Sequence, residues 1–296
     1  MLEWAGCKRV ASWGWVLCVV FLSVAGCVRG RAQPLAVIRV EGSDTMVNIA
    51  QAWAEQYHRS HPEVSIQVLG GGSGVGIASL IAGNCDLANS SRKMSEKELA
   101  EARAKQHVEP VEHIVGYDAL GVYVHPSNPL EEITLEELAE IYGDGGTITR
   151  WSQLVPWPEG RNDHIVRIGR QNSSGTYEFF RSVILGKKRD FALGSVDANG
   201  SKDVVALVAR TPLAIGYSGM GYQTPEVKML RVSPGRGKPA VAPTAANALN
   251  RSYPITRPLQ IYTLGQPQGV VREYLQWIYS DEGQKVVAAL GYVPLR

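Results

Sequence analysis

Four times along this chain a short apolar run stops at a loop of glycine and small hydroxyl residues, and a helix-period pattern follows. Ala36 to Val40 leads into Glu41-Gly-Ser-Asp-Thr-Met46, with Ile49, Ala50, Trp53, Ala54 and Tyr57 at helical spacing beyond it. Val64 to Leu69 leads into Gly70-Gly-Gly-Ser-Gly-Val-Gly76, then Ile77, Leu80 and Ile81. Asp86-Leu-Ala88 leads into Asn89-Ser-Ser-Arg-Lys-Met94, and Ser95 with Glu98 opens the next helix as a capping box. Arg167-Ile-Gly-Arg170 leads into Gln171-Asn-Ser-Ser-Gly-Thr176 and an amphipathic helix from Tyr177 to Leu185. Strand and helix patterns in alternation specify an α/β chain. In open α/β sheets ligands gather beyond the carboxyl ends of the strands, where all four loops fall.

The chemistry of these loops suits an anion. Each precedes a helix, whose first N–H groups lack intrahelical partners and carry positive partial charge. At the fourth loop Ser173, Ser174 and Thr176 add hydroxyls, Gly175 lets the main chain come close, and Arg170 offers a planar cationic fork suited to an oxyanion. The glycine loop has neither the Lys-Ser/Thr ending of a P-loop nor the spacing G-x-G-x-x-G, which disfavours a nucleotide. One such loop is commonly an ordinary turn or N-cap; the recurrence of four points to a shared anion site.

The remaining pattern supplies the frame. Ile114 to Val124 is long for a strand and is interrupted by glycines, as for a segment crossing between two lobes, and His125-Pro-Ser-Asn-Pro129 closes it. Thr134 with Glu137 opens a capped helix ending at Gly143, and Trp151-Ser-Gln-Leu154 is a helical turn. Lys202 to Val208 is a short helix, Leu213 to Tyr217 a buried strand ahead of Ser218-Gly219, and Met229 to Val232 another strand. Ser233 to Leu249, rich in Pro, Gly and Ala, reads as a loop-dominated return before a strand at Leu259 to Thr263. Val270 to Tyr279 and Gly283 to Leu290 are closing helices.

Lys8 and Arg9 precede an uncharged apolar run, Val10 to Val24, that is short for a membrane span and ends in Val24-Ala-Gly-Cys27. The small residues before the cysteine resemble a bacterial lipoprotein cleavage box, in which Cys27 becomes the lipidated new N-terminus. A transmembrane anchor, or a signal cut elsewhere, is the alternative, and each places the working protein outside the cytoplasm. Residues 1–26 are thus expected to be a signal peptide and 27–35 a lipidated tether. Cys7 and Cys18 leave with the signal, so Cys85 remains as a small buried residue beside a strand and no intramolecular disulfide is available. A formal net charge of +2 gives no broad basic face and argues against nucleic acid as a partner. With 296 residues, 45% of them hydrophobic, the chain can bury the cores of two domains as readily as one.

These residues carry a family resemblance. Gly42-Ser-Asp-Thr-Met46, Gly71-Gly-Ser-Gly-Val-Gly76, Asn89-Ser-Ser-Arg92, His125-Pro-Ser-Asn-Pro129, Ile148-Thr-Arg-Trp151, Arg170 with Ser174-Gly-Thr176, Ala214-Ile-Gly-Tyr217 and Tyr253-Pro-Ile-Thr-Arg-Pro-Leu259 resemble the substrate-binding protein of the bacterial phosphate ABC transporter, from about Ile38 to Pro294. The resemblance implies a type II periplasmic-binding-protein fold, two α/β lobes joined by two crossing strands with a ligand cleft between them. The expected lobes are 36–116 with 252–296, and 117–251. It implies a monomeric receptor for inorganic phosphate, anchored to the membrane through lipid, that serves the permease subunits of an importer without cofactor or metal. Carried over by position, Ser43, Asp44, Thr45 and the main chain of Met46 would bind from the first loop, Ser73 from the glycine loop, Ser91 and Arg92 from the third, and Arg170, Ser174, Gly175 and Thr176 from the second lobe. One position departs. Where some members have an aspartate that accepts the ligand's proton, this chain has Ser91; either Asp44 supplies that acceptor or selectivity rests on one less strictly.

The alternatives are a receptor for molybdate, sulfate or another tetrahedral oxyanion, and a secreted phosphoesterase or serine hydrolase using Ser73 or Ser174. The sequence holds no G-x-S-x-G elbow, no H-E-x-x-H and no C-x-x-C, and His58 with His61 would need further ligands to hold a metal.

Overall fold

The computed structural model describes residues 36–295, so the expected signal segment 1–26, Cys27 and the tether 27–35 lie outside the described residues. β1 (Ala36–Gly42) turns Ile38 and Val40 inward, and after a 3-10 turn at Asp44–Met46, α1 (Val47–Ser60) lays Ile49, Ala50, Trp53 and Tyr57 on the sheet. β2 (Val64–Leu69) and α2 (Ser73–Ile81) follow. β3 (Leu87–Ser90) is fully buried and runs through Asn89 and Ser90, which the sequence pattern assigns to a loop. Its neighbours explain the difference: β3 is a central strand, so even these polar residues are drawn into the ladder. α3 (Glu96–Gln106) starts at the Ser95–Glu98 capping box, with both reciprocal hydrogen bonds present.

β4 (Pro110–Val124) is 15 residues long and begins four residues before the expected Ile114. Then come β5 (Glu132–Thr134), α4 (Leu135–Tyr142) with its Thr134–Glu137 capping box, a 3-10 turn at Trp151–Gln153, β6 (Val166–Arg170) and α5 (Gly175–Ile184). β7 (Val196–Ala198) carries no apolar pattern, because two of its three residues are exposed at the sheet edge. α6 (Ser201–Arg210) and β8 (Ala214–Gly219) complete a further strand, helix, strand passage.

The strand expected at Met229 to Val232 is two strands, β9 (Lys228–Met229) and β10 (Arg231–Ser233). The chain changes partners between them: β9 pairs with β4, whereas β10 pairs with β5 in a separate two-stranded ladder. The return segment also contains a short helix, α7 (Ala245–Leu249), capped by Thr244. β11 (Thr256–Leu264), α8 (Gly269–Tyr279) and α9 (Asp281–Ala289) close the described chain.

The main sheet runs β2-β1-β3-β11-β4-β8-β6-β7. β1, β2 and β3 are mutually parallel at one end, and β6, β7 and β8 at the other. β4 links the two groups: Pro110–Ala119 pairs antiparallel with β11, and Leu120–Val124 pairs antiparallel with β8. Between the parallel groups the chain therefore passes through two neighbouring strands, β4 and β11. Trp53, Tyr57, Tyr274 and Ile278 lie in the core beside the first group, and Tyr142, Phe180 and Tyr217 in that beside the second. Cys85 is 6% exposed and packs with Ile77, Leu80 and Ile81; burial pushes its thiol up to about 11, so it behaves as an apolar filler. Among the described residues no helix is long and apolar enough to cross a membrane.

Candidate functional site

The four sequence loops meet. Ser43, Thr45, Ser73, Ser91, Arg170, Ser174 and Thr176 come from four segments and none is more than 2% exposed. Burial of this much polar surface is tolerated only where hydrogen bonds replace water. Ser43 Oγ donates to Ser91 Oγ at 2.9 Å, and Ser91 N–H donates to Ser73 Oγ at 3.0 Å. Across the two sheet groups Thr45 Oγ1 lies 2.8 Å from Thr176 Oγ1. Ser174 is the N-cap of α5 and accepts from the Thr176 and Tyr177 N–H groups, so the first turn of that helix points its amides at the same place.

Two charged pairs frame these hydroxyls. Arg170 ends β6; its Nη2 donates to Asp44 Oδ2 at 2.7 Å and its Nη1 to Ser201 Oγ at 3.0 Å. Burial lowers the Arg170 pKa from its ordinary value while Asp44 holds it up, and a guanidinium so far above neutrality stays charged. Arg170 Nε is buried with no hydrogen-bond partner among the described residues. An orphaned donor on a buried cation costs about 1–3 kcal/mol, which an acceptor placed there would recover. Asp44 is committed on both oxygens, with Oδ1 accepting from the Gly71 N–H at 2.8 Å.

The second pair was not among the residues singled out from sequence. Arg257 Nη2 donates to Asp118 Oδ2 at 2.9 Å, to Thr45 Oγ1 at 3.1 Å and to Thr176 Oγ1 at 3.0 Å, and Nη1 reaches the Ser91 carbonyl at 3.3 Å. Arg257 and Asp118 are direct cross-strand neighbours in β11 and β4, the positions at which opposite charges on an antiparallel pair meet best. Burial pushes the Asp118 carboxyl up, and the Arg257 guanidinium pulls against that. A signal was present for Asp118, a lone charge inside the apolar run Ile114 to Val124, but not for Arg257, which lies ahead of the strand expected at Leu259 to Thr263. Ser201, at the start of α6, was missed because a single serine before a helix is indistinguishable from an ordinary cap.

Two expected binding groups lie differently. Arg92 pairs with both Glu98 oxygens at 2.7 and 2.8 Å, which ties it to the capping box of α3. The Met46 N–H donates to the Ser43 carbonyl at 2.9 Å within the 3-10 turn, and the Met46 side chain is core. His58 and His61 are remote from the site; His58 Nδ1 sits 3.0 Å from the Val64 carbonyl and His61 stacks on Tyr57. Among the described residues no cluster of three or more potential metal ligands occurs.

Glycines permit the close approach. A Cβ on Gly175 would sit 2.3 Å from Ser73 Oγ and 2.8 Å from Ser91 Oγ, and one on Gly72, at φ +101, 2.6 Å from the Ser173 carbonyl. Gly175→Ala is expected to cost about 1–3 kcal/mol of folding stability by overpacking this contact. Urea denaturation checks it, and an unchanged midpoint would mean that α5 and the glycine loop are free to separate.

Comparison with known proteins gives a consistent family. Residues 28–282 match the PBP superfamily domain. The phosphate-binding protein PstS of Pseudomonas aeruginosa is 33% identical over 264 residues, covering 86% of this chain and 81% of its own length. PstS of Bacillus subtilis is 29% identical over 269 residues, covering 90% and 83%. Among solved structures, a Clostridium perfringens substrate-binding protein with bound phosphate superposes at a TM-score of 0.77 and 26% identity, over 88% of this chain and all of that one. An ABC-type phosphate transport receptor from Vibrio cholerae gives a TM-score of 0.67 at 28% identity, over 86% and 99%. The fold is the type II periplasmic-binding-protein architecture, and the chain belongs to the PBP superfamily and, within it, to the family of the phosphate-binding proteins PstS.

Proposed function

We propose that this chain is an extracytoplasmic receptor that binds inorganic phosphate and delivers it to the permease subunits of an ABC importer. In this proposal it acts as a monomer held at the membrane by lipid on Cys27. The observation that carries the binding role is the convergence of hydroxyls from separate loops on a buried arginine whose Nε lacks a partner. Thr45, Ser73, Arg170, Ser174, Gly175 and Thr176 are the proposed ligands. Ser43 and Ser91 support Ser73, Asp44 orients Arg170, and Arg92 acts outside the site.

The energetics suit an anion trap. An oxyanion taken from water unpaired would cost tens of kcal/mol. Helix N-termini, each contributing about 0.3–2 kcal/mol, cannot offset that alone, whereas charge-assisted bonds from hydroxyls, amides and an arginine can. The relatives in hand are named as binding proteins, and a receptor needs no turnover. We further propose two lobes, 36–116 with 252–296 and 117–251, that close on the ligand about β4 and β11; the passage of the sheet through these two strands supports it.

Calorimetric titration of the detergent-solubilised full chain with phosphate, arsenate, sulfate and molybdate tests the proposal. One phosphate per chain, with no release of product from a chromogenic phosphate ester, is the expected outcome. Absence of phosphate binding, or ester turnover lost in Ser174→Ala, would reject the receptor.

A further inference from the structure

One cavity of about 270 Å³ lies apart from the hydroxyl cluster, beside the core of the second parallel group of strands. Gly169 of β6 and Tyr217 of β8 line it, with Tyr142, Tyr177, Phe191 and Asp197 around them. Successive residues of a strand point to opposite faces, so Gly169 sets this cavity on the other side of the sheet from the Arg170 side chain. Four aromatic rings wall it. Tyr177 and Phe191 have centroids 4.7 Å apart, and Tyr142 meets Tyr217 edge-on at 5.5 Å. Phe180 stacks on Tyr217 at 3.8 Å and holds that ring in place.

Its polar groups are unevenly satisfied. The Tyr142 hydroxyl donates to the Ile215 carbonyl at 2.9 Å, whereas the Tyr217 hydroxyl, on a residue 1% exposed, has no hydrogen-bond partner among the described residues. Burial raises the Tyr217 phenol, with the nearby Arg170 guanidinium and main chain pulling against it, so the group is neutral. A Cβ built on Gly169 would stand 3.1 Å from Asp197 Oδ1 and 3.8 Å from Tyr217 Oη. The glycine thus leaves an opening on which a carboxylate and an orphaned phenol converge. Asp197 makes no hydrogen bond or ion pair among the described residues. The neighbouring charges are already matched: Asp190 pairs with Arg181, Arg167 donates to the Leu193 carbonyl at 2.6 Å, and Arg170 is paired with Asp44.

We propose that this cavity is a second binding site, for a small protonated amine whose N–H groups meet Tyr217 Oη and the Asp197 carboxylate while its charge lies among the rings. The inference goes beyond the receptor proposal and stands without it. An anion is repelled by the uncompensated Asp197, and a guest without a donor leaves the buried phenol oxygen unmet. An ammonium group answers both, and aromatic rings attract a desolvated cation through their quadrupoles. A cavity of this size takes a guest of a few non-hydrogen atoms to one aromatic ring, well below the usual range of drug-sized pockets.

The test is calorimetry of the detergent-solubilised full chain, against a detergent blank, with benzylammonium, benzyltrimethylammonium and benzyl alcohol. Benzylammonium is expected to bind at one site per chain, about tenfold more tightly than benzyltrimethylammonium, which keeps ring and charge but has no N–H to give. Benzyl alcohol, without the charge, binds more weakly than either. Tyr217→Phe deletes only the hydroxyl and should bring the two cations to within about threefold of each other. Asp197→Asn, at an exposed position, should weaken both cations up to about fivefold and leave the alcohol unchanged. Thermal denaturation of Tyr217→Phe should give a midpoint at or above that of the parent, because an unpaired buried hydroxyl has been removed. A marked drop would mean that the hydroxyl already has a partner, and would overturn the inference. So would benzyl alcohol binding as tightly as benzylammonium, which would make the cavity a plain apolar hole, or cation binding unchanged in both variants. Binding of none of the three would leave it a hydration site and reject the proposal.

Discussion

Arg170→Ala weakens phosphate binding by about a hundredfold or more, whereas Arg92→Ala leaves it within about threefold. Removing one partner of a buried, hydrogen-bonded charge contact costs about 2–5 kcal/mol, and each 1.4 kcal/mol is tenfold in affinity. Arg170 is 1% exposed, is surrounded by the converging hydroxyls, and holds Asp44 at 2.7 Å. Its loss removes a cation from the ligand and at the same time releases a carboxylate beside an arriving anion, so both effects have the same sign. Arg170→Lys keeps the charge but not the fork and should fall between. Arg92, in contrast, is already paired with Glu98 at 2.7 Å. Calorimetric titration of the variants decides the order, and equal losses for Arg170→Ala and Arg92→Ala would show that the buried arginine is not the anchor.

Asp118→Ala lowers folding stability by about 3–5 kcal/mol, because it leaves the Arg257 guanidinium buried without its counter-charge. For a chain of this size that corresponds to a melting temperature about 10 °C lower. Asp118 is fully buried and Arg257 1% exposed, so little water reaches either to relieve the loss. The position amplifies the effect, because Arg257 also holds Thr45, Thr176 and the Ser91 carbonyl. Replacing both members, Arg257→Met with Asp118→Leu, should recover much of the stability, since a well-packed apolar pair often equals a buried ion pair. Anion binding should not recover with it. Thermal and urea denaturation of the single and double variants separate these outcomes, and a single variant as stable as the parent would show that the pair carries no stability.

The elements were legible in the sequence where local physics fixes them. Both capping boxes, at Ser95–Glu98 and Thr134–Glu137, formed as written, because the reciprocal bonds involve residues three apart and need no tertiary partner. α1 buries four of the five residues expected of it, Ile49, Ala50, Trp53 and Tyr57, with Ala54 half-buried, because a period of 3.6 leaves them one face to hide. Misplaced boundaries occurred where a neighbour decided the matter. Asn89 and Ser90 look like loop and are strand because β1 and β11 flank them. Met229 to Val232 looks like one strand and is two because its halves find different partners.

For the site the division is similar. The sequence alone determined that hydroxyl and glycine loops end four strands ahead of helices, and that an arginine accompanies the fourth, because donors at a helix N-terminus are a property of a few consecutive residues. Only the tertiary structure decided which cations enter. It paired Arg92 with Glu98 and brought in Arg257, whose partners Thr45, Asp118 and Thr176 lie 212, 139 and 81 residues away. A long charged side chain can reach several ways from one backbone position, and its direction is set by whichever counter-charge the fold places within a few ångströms, a distance that the order of residues does not contain.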